Sequence, residues 1–339
     1  MRYVMISLIL FSLFMTACGS DSDDGTSVVT VADVGGSPDG VAVAGSGNIY
    51  ITDESSGEVK KIDPNGQVTV VADLNTITGD TTHPDGITAV TTGTTDVLYV
   101  ADMGSASSGF STDGRIVKIE VAGDGSVTVT ESFVDSTVLN NPTGIAADNS
   151  GNLYIADQQT GDVYKVAVTG GAAGVPQSLT DSLPAGVDLA EPHGLTLATN
   201  SDNSITLYTT DQGSSSNNVV QIDIPSSGNP GDAVVTELTP DSTGGSASGT
   251  TDTATFNQPH GIGRDKNGAV FISDENNNRV QIITPGGNVV TFAGSGASGD
   301  TDGDADTASF NQPRGLAVDA NGDVLICDYG NGKVRKVVR

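Results

Sequence analysis

The sequence predicts an all-β protein built from six copies of one four-stranded unit. The unit is clearest in Phe310–Arg339, where Pro-x-Gly opens a short alternating apolar run, an Asx/Gly turn follows, and a second apolar run ends in aspartate. Alternation with a period of two indicates a strand, and Asn-Gly between two such runs indicates a hairpin. A chain with 44 glycines, no tryptophan and no long helical pattern suits many short strands joined by tight turns.

The unit recurs along most of the chain. A close copy occupies Phe256–Ile283, and looser copies bring the starting prolines to six, namely Pro38, Pro84, Pro142, Pro192, Pro259 and Pro313. The spacing of these prolines leaves room for four short strands and variable loops in each copy. In the first copy the predicted strands are Gly40–Ala44, Asn48–Thr52, Glu58–Ile62 and Val68–Ala72.

The repeated segment, FNQPRGLAVDANGDVLICDYGNGKVRKV in its last copy, resembles the NHL repeat. Copies of that repeat close into a β-propeller, so the resemblance implies a six-bladed β-propeller of four-stranded antiparallel blades over residues 27–339. The sixth copy ends at Arg339 without a fourth strand, and a strand of the matching type, Val28–Val34, precedes the first copy. We therefore expect Val28–Val34 to pair with Lys333–Val338 and complete the last blade, which removes an open sheet edge.

The N-terminal segment has the pattern of an export signal. Residues 1–17 contain Arg2, an apolar run and small residues, as secretory signal peptides do. Met15-Thr16-Ala17-Cys18 resembles the bacterial lipobox, which implies lipidation of Cys18, and the acidic residues 18–26 are predicted to be a disordered tether. The resemblance implies a cell-envelope protein anchored to the outer membrane through this lipid alone, on its periplasmic or outer surface. The alternative is a plain signal peptide cleaved near Ala17.

The charge of the chain excludes one class of partner. The net charge is −28, and no cluster of Lys or Arg offsets it locally. Such a surface repels phosphate backbones, so we expect no nucleic-acid binding.

Cys327 is predicted to be structural. With Cys18 lipidated it has no partner for a disulfide. The other copies carry small residues at the same position, namely Thr52, Ala101, Ala156, Thr210 and Ser273. We therefore expect a buried small side chain between sheets rather than a reactive thiol.

The residues flanking each starting proline form the candidate site. The longer connections fall at the end of the channel where the inner strands begin, and loop variation on a rigid scaffold is where binding usually lies. The residues before and after each starting proline are two apart in an extended segment, so their side chains point to the same side. Together they form a polar rim, and it contains all three histidines of the chain. The predicted rim residues are Asp39, His83, Asp85, Asn141, Thr143, Glu191, His193, His260 and Arg314.

Three interpretations of these histidines remain open. The first is a metal site of His193, His260, His83 and Asp85, because imidazole and carboxylate are zinc ligands, and similar propellers of the peptide α-amidating lyase type hold zinc on channel histidines. The second is direct binding of a polar ligand. The third is solvation of a water-filled mouth.

Calcium is the other cation to consider. Propellers of the gluconolactonase type have a similar fold and a calcium site that begins with a Glu on the first blade, where this chain has Asp39. Asn141 and Glu191 offer oxygen ligands for such a cation. The ligand pattern does not carry over residue by residue.

Two function classes follow. The leading one is a monomeric binding or scaffold module for a small polar ligand, a glycan or an envelope protein. The alternative is a metal-dependent lyase or lactonase with its site at the channel mouth. A serine esterase is not supported, because the sequence has no Gly-x-Ser-x-Gly elbow.

Other repeated or acidic residues are predicted to be structural. The aspartates that end the second strand of each copy are expected to accept N–H bonds from the turn that follows; they are Asp53, Asp102, Asp157, Asp211, Asp274 and Asp328. Arg279 and Arg335 are expected to brace neighbouring blades. The loop Ser298–Ser309 fails the EF-hand spacing and is predicted to be a solvated linker.

Overall fold

The structure, a computed structural model, describes residues 25–105, 113–134, 138–181, 183, 187, 189–214 and 216–339. The predicted signal peptide, Cys18 and most of the predicted tether lie outside these residues. Six antiparallel sheets surround a central channel, and each inner strand lies beside the inner strands of both neighbouring sheets. The predicted six-bladed β-propeller is therefore confirmed.

Four strands form the body of each blade and follow one another from the channel outward. Blades 1 and 2 contain Pro38–Val43, Ile49–Asp53, Glu58–Ile62 and Val68–Asp73, then Pro84–Thr92, Thr95–Asp102, Arg115–Val121 and Val127–Val134. Blades 3 and 4 contain Pro142–Ala147, Leu153–Asp157, Asp162–Val166 and Gln177–Ser178, then Pro192–Thr199, Ile205–Asp211, Asn218–Ile224 and Val234–Glu237. Blades 5 and 6 contain Pro259–Arg264, Val270–Asp274, Arg279–Ile283 and Asn288–Ala293, then Pro313–Val318, Val324–Asp328, Lys333–Val338 and Ser27–Asp33.

A few short elements complete the chain. Gly249–Thr250 and Gly303–Asp304 add outer strands to blades 5 and 6, and Val168–Thr169 pairs with Ala172–Ala173 beside blade 3. The helical elements are Leu74–Thr78 and the 3-10 turns Pro230–Asp232, Glu275–Asn277 and Tyr329–Asn331. Within the described ranges, no helix has the length and apolar character needed to cross a membrane.

The N-terminal strand closes the ring as predicted. Ser27 to Thr30 pair with Val338 to Arg335, and after an irregularity Ala32 and Asp33 pair with Val334 and Lys333. The pairing joins the two ends of the described chain within one blade.

The loop Ser298–Ser309 is more ordered than a solvated linker. Its Gly303–Asp304 segment pairs with Ser27 and Val28 and so covers the edge of the closing strand. The Asp302 carboxylate accepts the Thr30 N–H at 3.0 Å and pairs with Arg335 Nη2 at 2.6 Å. Most residues of this loop are exposed, as the sequence predicted, but its acidic groups also have partners far away in the chain.

Close packing of the inner strands explains why every copy carries Pro-x-Gly. A Cβ on Gly40 would overlap the carbonyl oxygen of Asp85 on the next blade, and the same holds for each equivalent glycine around the ring. These are Gly86, Gly144, Gly194, Gly261 and Gly315. Glycine is required here because the backbones approach each other directly.

The six aspartates at the ends of the second strands are buried and well supplied with donors. Each accepts an N–H from the junction preceding its own blade, as Asp157 does from Asn140 at 2.7 Å. Each also accepts from the turn that follows, as Asp211 does from Gly213 at 3.1 Å. They tie loops to strands, as predicted.

Arg279 and Arg335 pair with the aspartates of their own blades. Arg279 lies 3.2 Å from Asp274, and the fully buried Arg335 lies 2.8 Å from Asp328. They pair with these aspartates because the third strand lies directly beside the second within each sheet. Each also bonds the connection from the preceding blade, Arg279 to the Ser246 carbonyl at 2.8 Å and Arg335 to Asp302 at 2.6 Å, which agrees in part with the predicted bracing role.

Candidate functional site

The channel mouth brings together the residue after the proline on five of the six blades. Asp39, Asp85, His193, His260 and Arg314 are each the second residue of an inner strand, so the ring of strands points them toward one another. The next residue is in every case the glycine that lets the strands approach. The motif therefore sets both the backbone spacing and the direction of these side chains.

Small hydroxyl residues hold the backbone of this cluster. Thr210 Oγ1 donates to the His260 carbonyl at 2.6 Å and accepts the Gly194 N–H at 2.9 Å. Thr52 and Ser273 bond the carbonyls of Asp85 and Arg314 in the same way. The predicted small buried position is confirmed, and in these blades it also fixes the strand that carries the site.

Cys327 takes the same position on blade 6. It is fully buried, and its Sγ lies 3.5 Å from the Gly40 carbonyl. Burial raises the pKa of the thiol well above its ordinary value. A structural cysteine is therefore confirmed.

His193, His260 and two aspartates form the centre of the site. The imidazole rings of the two histidines lie 3.9 Å apart between centroids. His193 Nε2 lies 3.3 Å from Asp85 Oδ2, and His260 Nε2 lies 3.5 Å from Asp39 Oδ1. All four side chains are buried. Asp39 Oδ1 has no hydrogen-bond partner among the described residues.

Arg314 bounds one side of this centre. Its Nη1 contacts Asp39 at 2.6 Å and Glu54 at 3.0 Å, and its Nε contacts Glu275 at 3.3 Å. The guanidinium also stacks on Tyr329, with Cζ 3.6 Å from the ring centroid. Three carboxylates and a ring therefore fix its position.

Burial controls the protonation of the cluster. It raises the pKa of Asp39 to about 6 although Arg314 opposes the shift, and it raises the pKa of Asp85 well above the ordinary value, with repulsion from Asp39 adding to it. Burial also lowers the pKa of His193 to about 3 and that of His260 well below 6.5. Both imidazoles are therefore neutral at physiological pH.

The other predicted rim residues lie apart from this cluster. His83 Nδ1 bonds the Gly104 carbonyl at 2.9 Å, and the fully buried Thr143 donates to the Pro192 carbonyl at 3.0 Å. Asn141 donates to Gln158 at 3.4 Å, and Gln158 donates to Glu191 at 3.0 Å. These residues hold the rim of blades 2 to 4 rather than the centre of the mouth.

Sequence reasoning missed Glu54, Glu275 and Tyr329. Each directly follows one of the six repeated aspartates, where the chain turns over the channel mouth. That position differs from copy to copy, and Gln158 and Gln212 occupy it on blades 3 and 4. A search for variable residues beside invariant ones would have found them.

The donor set resembles a transition-metal site. Asp85, His193 and His260 each offer one buried ligand atom, and the three atoms lie within 4.8 Å of one another. Ligands about 2.0–2.1 Å from a tetrahedral zinc ion are about 3.3 Å apart, which matches the His193–Asp85 distance of 3.3 Å. Two neutral imidazoles fit zinc better than calcium, which takes six to eight oxygen ligands. A cavity of about 50 Å³ beside the triad has room for an ion or water.

Residues 256–283 and 310–337 match the NHL repeat, so the chain carries NHL repeats within its six-bladed propeller. It is 31% identical over 80 residues to the Arabidopsis thaliana chloroplast protein SUPPRESSOR OF QUENCHING 1, a match that spans 23% of this chain and 8% of that protein. The chain thus aligns with less than a tenth of that relative's length.

Two solved structures illustrate the shared fold. An auxiliary nutrient binding protein from Bacteroides thetaiotaomicron has 17% identity and a TM-score of 0.67, covering 92% of this chain and 76% of its own. A gluconolactonase from Xanthomonas campestris has 13% identity and a TM-score of 0.60, covering 91% of this chain and 88% of its own. At such identities the likeness extends to the fold alone.

Proposed function

We propose that this protein is a cell-envelope binding protein whose channel mouth holds a zinc ion and, with it, a small polar ligand. The observation that carries the proposal is the buried triad of Asp85, His193 and His260, with all three ligand atoms within 4.8 Å. The similar fold of an auxiliary nutrient binding protein supports the ligand-binding part.

The charges around the mouth favour a cation. Asp39, Asp85, Glu54 and Glu275 face one another with Arg314 as the cation that pairs with three of them. Burying several carboxylates together is unfavourable unless cations accompany them. A divalent ion on the triad would lower this cost, and carboxylate oxygens that still lack a partner, such as Asp39 Oδ1, would then accept hydrogen bonds from ligand hydroxyl or ammonium groups.

Zinc binding is the direct test. We expect purified protein stripped with chelator to bind one zinc ion per chain, and the His193→Ala/His260→Ala double variant to bind at least about a hundredfold more weakly, because two of three protein ligands are gone. His83→Ala is the matched control, since His83 lies outside the triad. Unchanged zinc affinity in the double variant, or a parent protein without zinc affinity, would refute the proposal.

A metal-dependent lactonase or lyase is the second candidate. One observation favours it: Asp39 Oδ1 has no hydrogen-bond partner among the described residues, lies 3.5 Å from His260 Nε2, and belongs to a carboxyl whose pKa is raised to about 6. A carboxyl with such a pKa exchanges protons near neutral pH, as a general acid–base group must. Bound zinc would supply a Lewis acid.

Lactone hydrolysis separates the two candidates. With glucono-1,5-lactone as the probe, an enzyme should lose about a hundredfold or more in kcat on Asp39→Asn while retaining zinc. If the parent hydrolyses the lactone no faster than the His193→Ala/His260→Ala variant does, the enzyme candidate is refuted and only the binding function remains.

The envelope location is a separate part of the proposal and depends on Cys18. In a bacterial host we expect labelled fatty acid to enter the parent chain and not Cys18→Ala. Equal labelling of both chains would contradict lipid anchoring at this residue.

A further inference from the structure

A groove lies between blades 6 and 1 at the face of the propeller opposite the histidines. Its volume is about 580 Å³, which is within the ~300–1,000 Å³ of sites for small molecules. Val31, Val43 and Ile49 line it and pack, half-buried, on the core between these two blades. The turns at residues 63–66 and 319–321 form its polar edge. The groove therefore offers apolar contact at its base and hydrogen bonding at its rim.

A departure from the repeat lies under this groove. Leu325 stands three residues before the repeated aspartate of blade 6, is buried in the core between blades 6 and 1, and lines the groove. The other five copies carry an aromatic residue at this position, namely Tyr50, Tyr99, Tyr154, Tyr208 and Phe271. The junction between blades 6 and 1 thus lacks a ring that every other copy supplies.

Blade 3 shows what such a ring does. Tyr154 packs in the core between blades 3 and 4, and its hydroxyl donates to Asp148 Oδ2 at 3.1 Å. The other oxygen of Asp148 accepts the N–H groups of Ser150 and Asn152 at 2.8 and 2.9 Å. The cavity beside this ring is about 280 Å³, against about 580 Å³ at Leu325. The tyrosine therefore fills space and has an oriented acceptor for its hydroxyl.

Blade 6 keeps this acceptor although it lacks the ring. Asp319 occupies the place of Asp148 in the turn between the first and second strands, and it lines the groove. Its Oδ1 accepts the N–H groups of Asn321 and Asp323 at 2.9 and 3.0 Å, just as in blade 3. Asp319 Oδ2 is thereby held where the corresponding oxygen of Asp148 receives the tyrosine hydroxyl.

A lysine also differs between the two places. In blade 3, Lys165 reaches across to the Gly228 carbonyl of blade 4 at 2.7 Å. In blade 6, the corresponding Lys336 stays on its own blade, with Nζ 3.1 Å from Asp319 Oδ2 and 2.6 Å from Asp323 Oδ2. The groove is therefore left open, and an ammonium donor lies beside the carboxylate.

We propose that this groove binds a substituted phenol, whose ring takes the place of the absent tyrosine ring. The hydroxyl donates to Asp319 Oδ2 and accepts from Lys336 Nζ, and the ring packs on Val31, Val43 and Ile49. One ring fills only part of about 580 Å³, so the natural ligand carries a further group on the ring. The site is separate from the zinc triad and does not depend on it.

The probe for this site is 4-methylphenol, which is the tyrosine side chain as a free molecule. We expect saturable shifts in the methyl NMR signals of Val31, Val43 and Ile49. Toluene, which has the same ring and methyl group without the hydroxyl, should bind about tenfold more weakly, because hydrogen bonds to charged groups are the strong ones. Toluene binding as tightly as 4-methylphenol would overturn the inference, since the groove would then be a general apolar site.

An isosteric variant tests the acceptor. Asp319→Asn keeps an oxygen for the N–H groups of the turn and replaces Oδ2 by a donor, so 4-methylphenol should bind about tenfold more weakly while toluene binds as it does to the parent. Asp63→Asn, on the other edge of the same groove, is the matched control and should bind 4-methylphenol with parental affinity. Equal affinities of Asp319→Asn and the parent for 4-methylphenol would contradict the role of the carboxylate.

Restoring the ring tests the place of binding. Leu325→Tyr gives blade 6 the residue type of the other copies, and we expect it to abolish the methyl shifts while zinc binding stays as in the parent. Parental 4-methylphenol affinity in this variant would refute the site. The His193→Ala/His260→Ala variant should bind 4-methylphenol normally, so this inference and the zinc proposal fail separately. Should Leu325→Tyr not fold, the toluene comparison and Asp319→Asn decide the question.

Discussion

Two groups of buried carboxylates in this propeller behave differently. The aspartates at the ends of the second strands receive several hydrogen bonds each. For Asp53 these bonds, led by Lys60, outweigh burial and lower the pKa, whereas burial still raises the pKa of Asp211, Asp274 and Asp328, so the two groups differ in their hydrogen bonds rather than in the direction of every pKa shift. Asp39 and Asp85 at the channel mouth are as deeply buried but have few donors, so burial raises the pKa of both. The difference indicates that the first group holds the fold together, while the second is kept at some cost for binding.

The largest effect should come from removing a well-bonded carboxylate. Asp328→Ala removes the buried partner of Arg335 at 2.8 Å, leaving Asp302 as its remaining carboxylate, and also removes the bonds that Asp328 accepts from Asn311 and Asn331. We expect a loss of about 3–5 kcal/mol in unfolding free energy. Asp85→Ala in zinc-free protein should cost less than about 1 kcal/mol, because Asp85 makes no bond that the fold needs. Urea denaturation in chelator measures both. Equal losses in the two variants would erase the distinction between the groups.

Acidification should lower the unfolding free energy through the two histidines, because the folded protein holds both of them neutral. Both have a lowered pKa in the folded protein, so the unfolded chain takes up protons first as pH falls below about 6.5. For each histidine, the unfolding free energy then falls by about 1.4 kcal/mol for every pH unit of acidification. The raised pKa of Asp39 and Asp85 acts in the opposite direction over a similar range, so the parent curve alone is ambiguous.

A substitution removes this ambiguity. In His193→Gln/His260→Gln, the unfolding free energy relative to the parent should rise on going from pH 6.5 to 4.5 in chelator. Denaturation curves at several pH values measure the difference. Parallel pH profiles for the two proteins would show that the histidines are not held neutral.

The smallest effect should come from the hydroxyls that hold the strands of the mouth. Thr210→Val removes the bonds to the His260 carbonyl and the Gly194 N–H, and we expect a loss of about 1–2 kcal/mol together with weaker zinc binding. Thr236→Val, at an exposed position of the outer strand of the same blade, should change stability by less than about 0.5 kcal/mol. Thermal unfolding and zinc titration of the pair provide the comparison.

The fold was predictable because its signals are local and repeated six times. The strand pairing that closes the ring followed from counting strands, and the pairs Ser27–Val338 and Asp33–Lys333 confirm it. Asp39, Asp85, His193, His260 and Arg314 were found because Pro-x-Gly fixes the direction of the residue between. Thr210 was predicted only as a small buried side chain. Its hydrogen bond could not be predicted from local sequence, because the acceptor is the His260 carbonyl of another blade.

Residues outside the regular strands could not be placed in this way. The inner strand of blade 2 begins at Pro84, so His83 lies outside it. The two-residue alternation that placed His83 beside Asp85 therefore does not apply to His83. Its N–H bonds Asp102, and the ring turns to Gly104 instead. Glu54, Glu275 and Tyr329 depend on how turns fold over the mouth, and no local periodicity describes that path.

The pairing of Ser27–Asp33 with Lys333–Val338 also governs the order of assembly. The earlier strand emerges from the ribosome, or from the export channel, about three hundred residues before its partner, so it has no partner strand until blades 1 to 5 have emerged. A nascent chain stalled before Lys333 would expose two unpaired edges. Such an intermediate is where a chaperone would be needed most.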